Sequence, residues 1–219
     1  MSINKNLYLF LFLFSSTFIF SKEVKNFTIM LDPAGDAQNT GRQIEDCLER
    51  GVTLQFAEKL KQEIESRFDS IKVVLTRSPG EKVQNLQNAN YANRLAVDFY
   101  LSVHFYKESA VRPKVYMYTF SYNDDFITRK PDLYFCPYNK AHLIYREDTK
   151  RCACEIKKIL ENKKNFDFSG LLDLPFKPLI GVKAPALGIE IGLRSKDNWV
   201  NYIDIFFEIV NKLKRVLHG

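Results

Sequence analysis

Asp32, Asp36, Glu49, His104 and Glu190 are the side chains whose types and positions in this 219-residue sequence could do chemistry. Asp32 closes the β-friendly run 27–31, and the Pro33 and Gly35 that separate it from Asp36 mark a sharp end to a strand. His104 follows the apolar run 99–103, and Glu190 interrupts Ala-Leu-Gly-Ile-Glu-Ile-Gly. One imidazole and several carboxylates at a common place would hold a divalent metal or form the acid–base pair of a hydrolase. Each also has a plainer use. Glu49 follows Asp46 by three positions and could complete a capping-box-like helix start. His104 could be a hydrogen-bonded structural histidine. Glu190 is harder to assign to structure, because a carboxylate among apolar neighbours is costly unless paired or functional. Asp32 reads as structural, closing the turn by a side-chain to backbone hydrogen bond.

These residues need elements to bring them together. After the strand at 27–32 comes a polar loop to about Asp46. Val52, Phe56, Leu60, Ile64 and Phe68 then step by four, the stripe of a helix that needs a core. Strands are expected at 71–76, 98–104, 114–122 and 186–191, with a modest helix over 86–96 and a long one from about 140 to 162. The stretches 123–138 and 166–184 carry prolines and read as loop and irregular chain. A last helix starts near 195–198, with Val200, Ile203, Phe207, Val210 and Leu213 on one side. Strands alternating with helices predict an α/β fold: an open mixed, mostly parallel sheet of about five to six strands with helices on both faces. In such sheets ligands bind beyond the carboxyl ends of the strands. Parallel strands would therefore gather Asp32, Glu49, His104 and Glu190 on one rim.

Hydrophobic content of 46% and charged content of 26% describe an ordinary globular chain. The net charge of +6 comes from scattered lysines and arginines. It favours anionic surroundings (a membrane surface, a cell-wall polymer or nucleic acid) and selects none of them, and no dense basic run points to nucleic acid. Residues 1–21 stand apart: Lys5, an apolar run from Leu7 to Phe14, then Ser15–Ser21, with charge returning at Lys22. This reads as a signal peptide, or as an uncleaved anchor that would be the sole membrane contact, ahead of one domain over 22–219. Export to the periplasm or cell envelope follows. Cys47, Cys136, Cys152 and Cys154 do not make a disulfide framework in a chain of this size. Cys152 shares a helical stripe with Ile156 and Leu160 and reads as buried and apolar, a CxC metal or redox site being the alternative. A Cys47–Cys136 bridge stays open. Phe126, Tyr134, Phe135 and Tyr138 would either pack or flank the cleft. No GxGxxG or GxxxxGK follows the first strand, which disfavours a phosphate-loop enzyme.

The ordered pieces LDPAGDA, ERGVTLQFAEKL, VVLTRS, NANYANRLAVDFYLSVHFY, VYMYTF and APALGIEIGL resemble the zinc-dependent N-acetylmuramoyl-L-alanine amidases of the amidase-3 type. The resemblance runs over about residues 27–195, in order and with compatible spacing. It implies a peptidoglycan hydrolase that cleaves the amide between N-acetylmuramic acid and the L-alanine of the stem peptide. It makes Glu49 and His104 zinc ligands and Glu190 the catalytic carboxylate. The family's first ligand is a histidine, and Gly35 stands at its place. Asn88 stands where the family usually has arginine, and Arg194-Ser195-Lys196 replaces its usual Ser-Asn ending.

A catalytic zinc normally takes three protein ligands and leaves the fourth position to water. Three readings follow from Gly35. Asp36, next in the chain, could supply the missing donor, and a carboxylate is acceptable to zinc. Alternatively the chain is an inactive amidase-like module that binds peptidoglycan or a protein partner. In the third, His142 or a cysteine completes the set. His218, near the chain end, reads as solvated.

Overall fold

The computed structural model describes residues 26–84, 86–122 and 137–219. The signal-like segment 1–21, Cys136 and nearly all of the 123–138 stretch lie outside the described residues. The strands are β1 (Phe27–Pro33), β2 (Gln43–Ile44), β3 (Cys47–Leu48), β4 (Ile71–Leu75), β5 (Phe99–Lys107), β6 (Lys114–Phe120), β7 (Asp167–Leu174) and β8 (Ala186–Leu193). The α-helices are α1 (Glu49–Arg67), α2 (Gln87–Leu95), α3 (Arg146–Glu161) and α4 (Ile203–His218). The main sheet runs β4-β1-β5-β8-β6-β7. β4, β1, β5 and β8 are mutually parallel, β6 is antiparallel to β8, and β7 is parallel to β6. This is the mixed, mostly parallel sheet the alternation of elements predicts.

Side-chain parity assigns the two faces. Ile29, Leu31, Leu101, Val103, Leu187 and Ile189 point to one face, where they pack with α1, α3 and α4. The stepped stripe of α1 is buried there through Val52, Phe56, Leu60 and Ile64. Phe56 sits edge-on to Phe105 and Phe206, with ring centroids 5.3 and 4.9 Å away. Burial of such a ring stabilises the fold by about 1.5–3 kcal/mol. Met30 and Tyr100 point to the other face, against Ala89 and Ala92 of α2 and the turn carrying Leu179 and Val182. Further along β5, this second face changes from apolar to polar.

Two stretches differ from expectation. Residues 166–184, read as irregular, contain β7, which forms an edge of the sheet. Most β7 side chains are exposed, so no apolar alternation marks it, and its pairing with β6 is a matter of backbone hydrogen bonds. The long helix expected from about 140 begins as a short 3-10 turn over Tyr138–Leu143, and α3 starts at Arg146. The Tyr138 carbonyl there accepts the N–H of Gly181, a long-range bond that local periodicity does not encode.

Candidate active site

Register places the polar residues on one face. Asp32 stands opposite Ser102 in the β1–β5 ladder, and His104 opposite Glu190 in the β5–β8 ladder. Because side chains alternate, Asp32, Ser102, His104, Tyr106 and Glu190 all belong to the second face, toward the carboxyl ends of β1, β5 and β8. Across the antiparallel ladder, β6 adds Tyr118, opposite Gly188.

Glu49 reaches this place from the first turn of α1. β1 stops at Pro33 while β5 continues to Lys107, so Phe105 has no β1 neighbour. Its N–H donates instead to Glu49 Oε1 at 3.1 Å. Glu49 Oε2 accepts the N–H of Arg42 at 3.0 Å, and His104 Nδ1 lies 3.5 Å from Oε1. Burial pushes the Glu49 carboxyl up, but His104 and the Arg42 N–H outweigh it and hold the group below its ordinary 4.5. Gly41 makes this packing feasible: a Cβ on it would lie 2.7 Å from Glu49 Oε2.

A buried network sets the proton on His104. Asp32 accepts from Thr76 at 2.8 Å, Asn88 at 2.8 Å and Ser102 at 2.9 Å. Its partners are thus side chains of three other elements, not the local backbone that its position in the turn suggests. Ser102 gives its single proton to Asp32, so at its 3.1 Å contact with His104 Nε2 it must accept. Nε2 therefore carries a hydrogen, and Nδ1 is the ring nitrogen that faces Glu49. His104 Nδ1 and Glu49 Oε1 thus face each other at 3.5 Å, two atoms of the kinds that ligate divalent cations.

Glu190 is half enclosed. Arg42 donates to its Oε1 and the Tyr118 hydroxyl to its Oε2. Burial and the adjacent Glu190 carboxylate push the Tyr118 hydroxyl well above its ordinary value. Tyr118 stacks on Phe176 with centroids 4.7 Å apart, and Phe176 meets the His104 ring edge-on at 5.1 Å. Gly188 leaves room for that ring, since a Cβ there would lie 2.4 Å from it. Arg42, Ser102 and Tyr118 touch the candidate residues and are the contacts that sequence reading missed. The same-face parity of Ser102 with His104 was the one available signal.

Asp36 stays apart from this group. Its Oδ1 accepts the N–H groups of Gln38 and Asn39 at 2.6 and 2.7 Å, and its Oδ2 the Asn39 amide at 3.1 Å. Gly35 has φ +80°, and a Cβ on it would lie 2.7 Å from Arg50 Cβ. Among the described residues, no three His, Cys, Asp or Glu side chains are grouped to hold a metal ion. His142 packs edge-on to Phe120, with centroids 4.8 Å apart. Cys152 lies in the core, where burial pushes its thiol up to about 12. His218 is exposed, as expected, and it also pairs with Asp98 at 2.8 Å and meets the Phe27 ring edge-on. Glu49 and His104 thus stand together as two residues of ligand type, and no third joins them among the described residues.

Known proteins resemble this chain in both sequence and fold. A 76-residue stretch is 30% identical to the N-acetylmuramoyl-L-alanine amidase CwlM of Bacillus licheniformis, covering 35% of this chain and 30% of that relative's length. The catalytic domain of CwlV, an N-acetylmuramoyl-L-alanine amidase from Bacillus (Paenibacillus) polymyxa var. colistinus, superposes with a TM-score of 0.58 at 14% identity. The alignment covers 86% of this chain and 98% of that one. An N-acetylmuramoyl-L-alanine amidase from Clostridium difficile 630 gives 0.56 at 18% identity, over 86% and 95% of the two chains. At these identities the structural likenesses speak to the fold. The Amidase_3 family, described as N-acetylmuramoyl-L-alanine amidase, matches residues 29–204, most of the chain, and the protein belongs to that family.

Proposed function

We propose that this protein is a peptidoglycan hydrolase that cleaves the amide between the lactyl group of N-acetylmuramic acid and the L-alanine of the stem peptide. The observation that carries the reading is the convergence of Glu49, His104 and Glu190 at the carboxyl ends of β5 and β8 and the start of α1. Glu49 and His104 would hold the zinc ion typical of the family, with Gly35 at the place of the family's first ligand. When bound, that ion supplies Lewis acidity toward the scissile carbonyl and the attacking water. Glu190 takes the proton of that water and delivers it to the departing L-alanine nitrogen. Tyr118 holds the Glu190 carboxylate in place from one side, and Ser102 keeps Nδ1 of His104 toward Glu49. Asp36 serves the loop, not the reaction. The catalytic domain spans residues 22–219, and the chain is exported to the cell envelope behind its N-terminal segment.

The test is digestion of purified sacculi by the full chain supplied with zinc, reading newly exposed L-alanine amino termini. Wild type is expected to release them. Glu190→Gln should lose about a hundredfold or more of the rate, the scale of a general acid–base group, and His104→Ala should lose zinc as well. A second reading is favoured by the two-ligand donor set and by the guanidinium on Glu190: an amidase-like module that binds peptidoglycan without cleaving it. Zinc-loaded wild type that binds sacculi but releases no amino termini would decide for it.

A further inference from the structure

Two aromatic rings border Glu190 on the side of its Oε2. The Tyr118 hydroxyl donates to that oxygen, and the half-buried Phe176 ring stacks on Tyr118 with centroids 4.7 Å apart and planes 11° apart. Phe176 lies over Gly188, where a Cβ would meet it at 2.4 Å, with Tyr118 of β6 on one flank and His104 of β5 on the other. Gly188 precedes Glu190 by two positions, about 7 Å along β8. We propose that Phe176 determines specificity for the first stem residue: its ring is the wall against which the L-alanine methyl packs, and it excludes a larger side chain. The proposal rests on the reading above that Glu190 serves the amide between N-acetylmuramic acid and L-alanine.

The placement follows from the chemistry. A group that protonates the departing nitrogen must come within hydrogen-bond reach of it, and the α-carbon bearing the methyl is bonded to that nitrogen. The methyl therefore falls beside Glu190, where Phe176 and Tyr118 supply apolar surface on an otherwise polar face. The ring is also fixed. Phe176 follows Pro175, its N–H donates to the Leu174 carbonyl at 2.7 Å, and its own carbonyl accepts the N–H of Leu179 at 3.0 Å. Leu179 is buried with Val182 and Ala184 and anchors the turn. A ring held by backbone bonds, a buried anchor and a stack cannot withdraw for a branched side chain without losing those contacts. It is not simply core, since it stays half-buried and meets the His104 ring edge-on at 5.1 Å, beside the reacting groups.

The test offers muramoyl dipeptides with L-alanine, glycine or L-valine at the first stem position to the full chain as wild type, Phe176→Leu and Phe176→Ala, reading kcat/KM. Wild type should prefer L-alanine over glycine and over L-valine by about tenfold or more, the worth of a methyl or methylene in an apolar pocket. Phe176→Ala should narrow both ratios to within about threefold, with Phe176→Leu in between. Loss of the stack on Tyr118 lowers the rate on every substrate alike, so the ratios and not the rates read specificity. Cooperative melting of each variant verifies folding. Unchanged ratios in folded Phe176→Ala overturn the wall, while cleavage by wild type keeps the hydrolase reading. Ratios that respond only when the lactyl methyl is removed from the substrate assign the ring to the other side of the amide and also overturn it. If wild type cleaves none of the three, the hydrolase reading fails. The same ranking in calorimetric binding, lost in Phe176→Ala, then supports the wall, and binding without that ranking, or no binding, overturns it.

Discussion

Ser102 Oγ lies 3.1 Å from His104 Nε2 and, because its own proton goes to Asp32, accepts the hydrogen of that nitrogen and turns Nδ1 toward Glu49. The ring that faces Glu49 is thus oriented by a fully buried hydroxyl. Ser102→Ala should weaken zinc binding by about 10–100-fold, the usual effect of removing a group that orients a metal ligand. Zinc titration in competition with a chromophoric chelator reads this directly, and unchanged affinity would mean that Ser102 does not orient the ring.

Gly41 is required for two separable reasons. Its φ is +73°, and its missing side chain is where the Glu49 carboxylate packs. Gly80 shares the conformation, at φ +74°, but a Cβ there would meet nothing within 4 Å. Gly80→Ala should therefore show the backbone strain alone, about 1 kcal/mol in a melt. Gly41→Ala should lose more stability than that and at least about tenfold in zinc affinity, because Glu49 must move. Equal effects at the two glycines would show that the contact with Glu49 is not limiting.

Restoring the family's histidine should fail by itself. At Gly35 the backbone is left-handed and a Cβ would lie 2.7 Å from Arg50 Cβ. Gly35→His is expected to cost about 1–3 kcal/mol of stability with no gain in zinc affinity. Tighter zinc binding at an unchanged melting temperature would show that the loop re-forms around the new ligand.

Asp36 makes stability depend on pH. Burial raises its pKa, but the hydrogen bonds from Asn39 and Gln38 outweigh it and leave the folded value below the ordinary 3.8. A depressed folded value means the contribution is fully present above the unfolded pKa and is lost as pH falls through the folded one. Relative to Asp36→Asn, wild type should hold its advantage in melting temperature above about pH 4 and lose it progressively below. An advantage unchanged down to about pH 2 would show that the turn does not depend on the charge.

Much of this site was legible from local pattern. The run ending at Asp32, the apolar approach to His104 and the carboxylate inside β8 mark strand ends, and the four-residue step from Val52 marks α1 with Glu49 in its first turn. The turn at Asp36 was legible too, since an Asp binding N–H groups two and three residues ahead is a local motif. Reading it as a metal donor gave weight to its neighbour in sequence over its own backbone. β7 was not legible, because an exposed edge strand lacks the apolar alternation by which strands are recognised.

By itself, the sequence determined most of the element types, the alternation within each strand that puts Ser102 and His104 on one face, and the absence of a histidine at position 35. Only the tertiary structure decided what those side chains touch. Arg42 and Glu190 are 148 residues apart and Tyr118 and Glu190 are 72 apart, and both pairs exist because of the order of β5, β8 and β6 in the sheet. Alternation within a strand follows from backbone geometry and is written in a few consecutive residues. Which strands become neighbours, and in which direction, follows from packing the whole core, and no short window of sequence contains it.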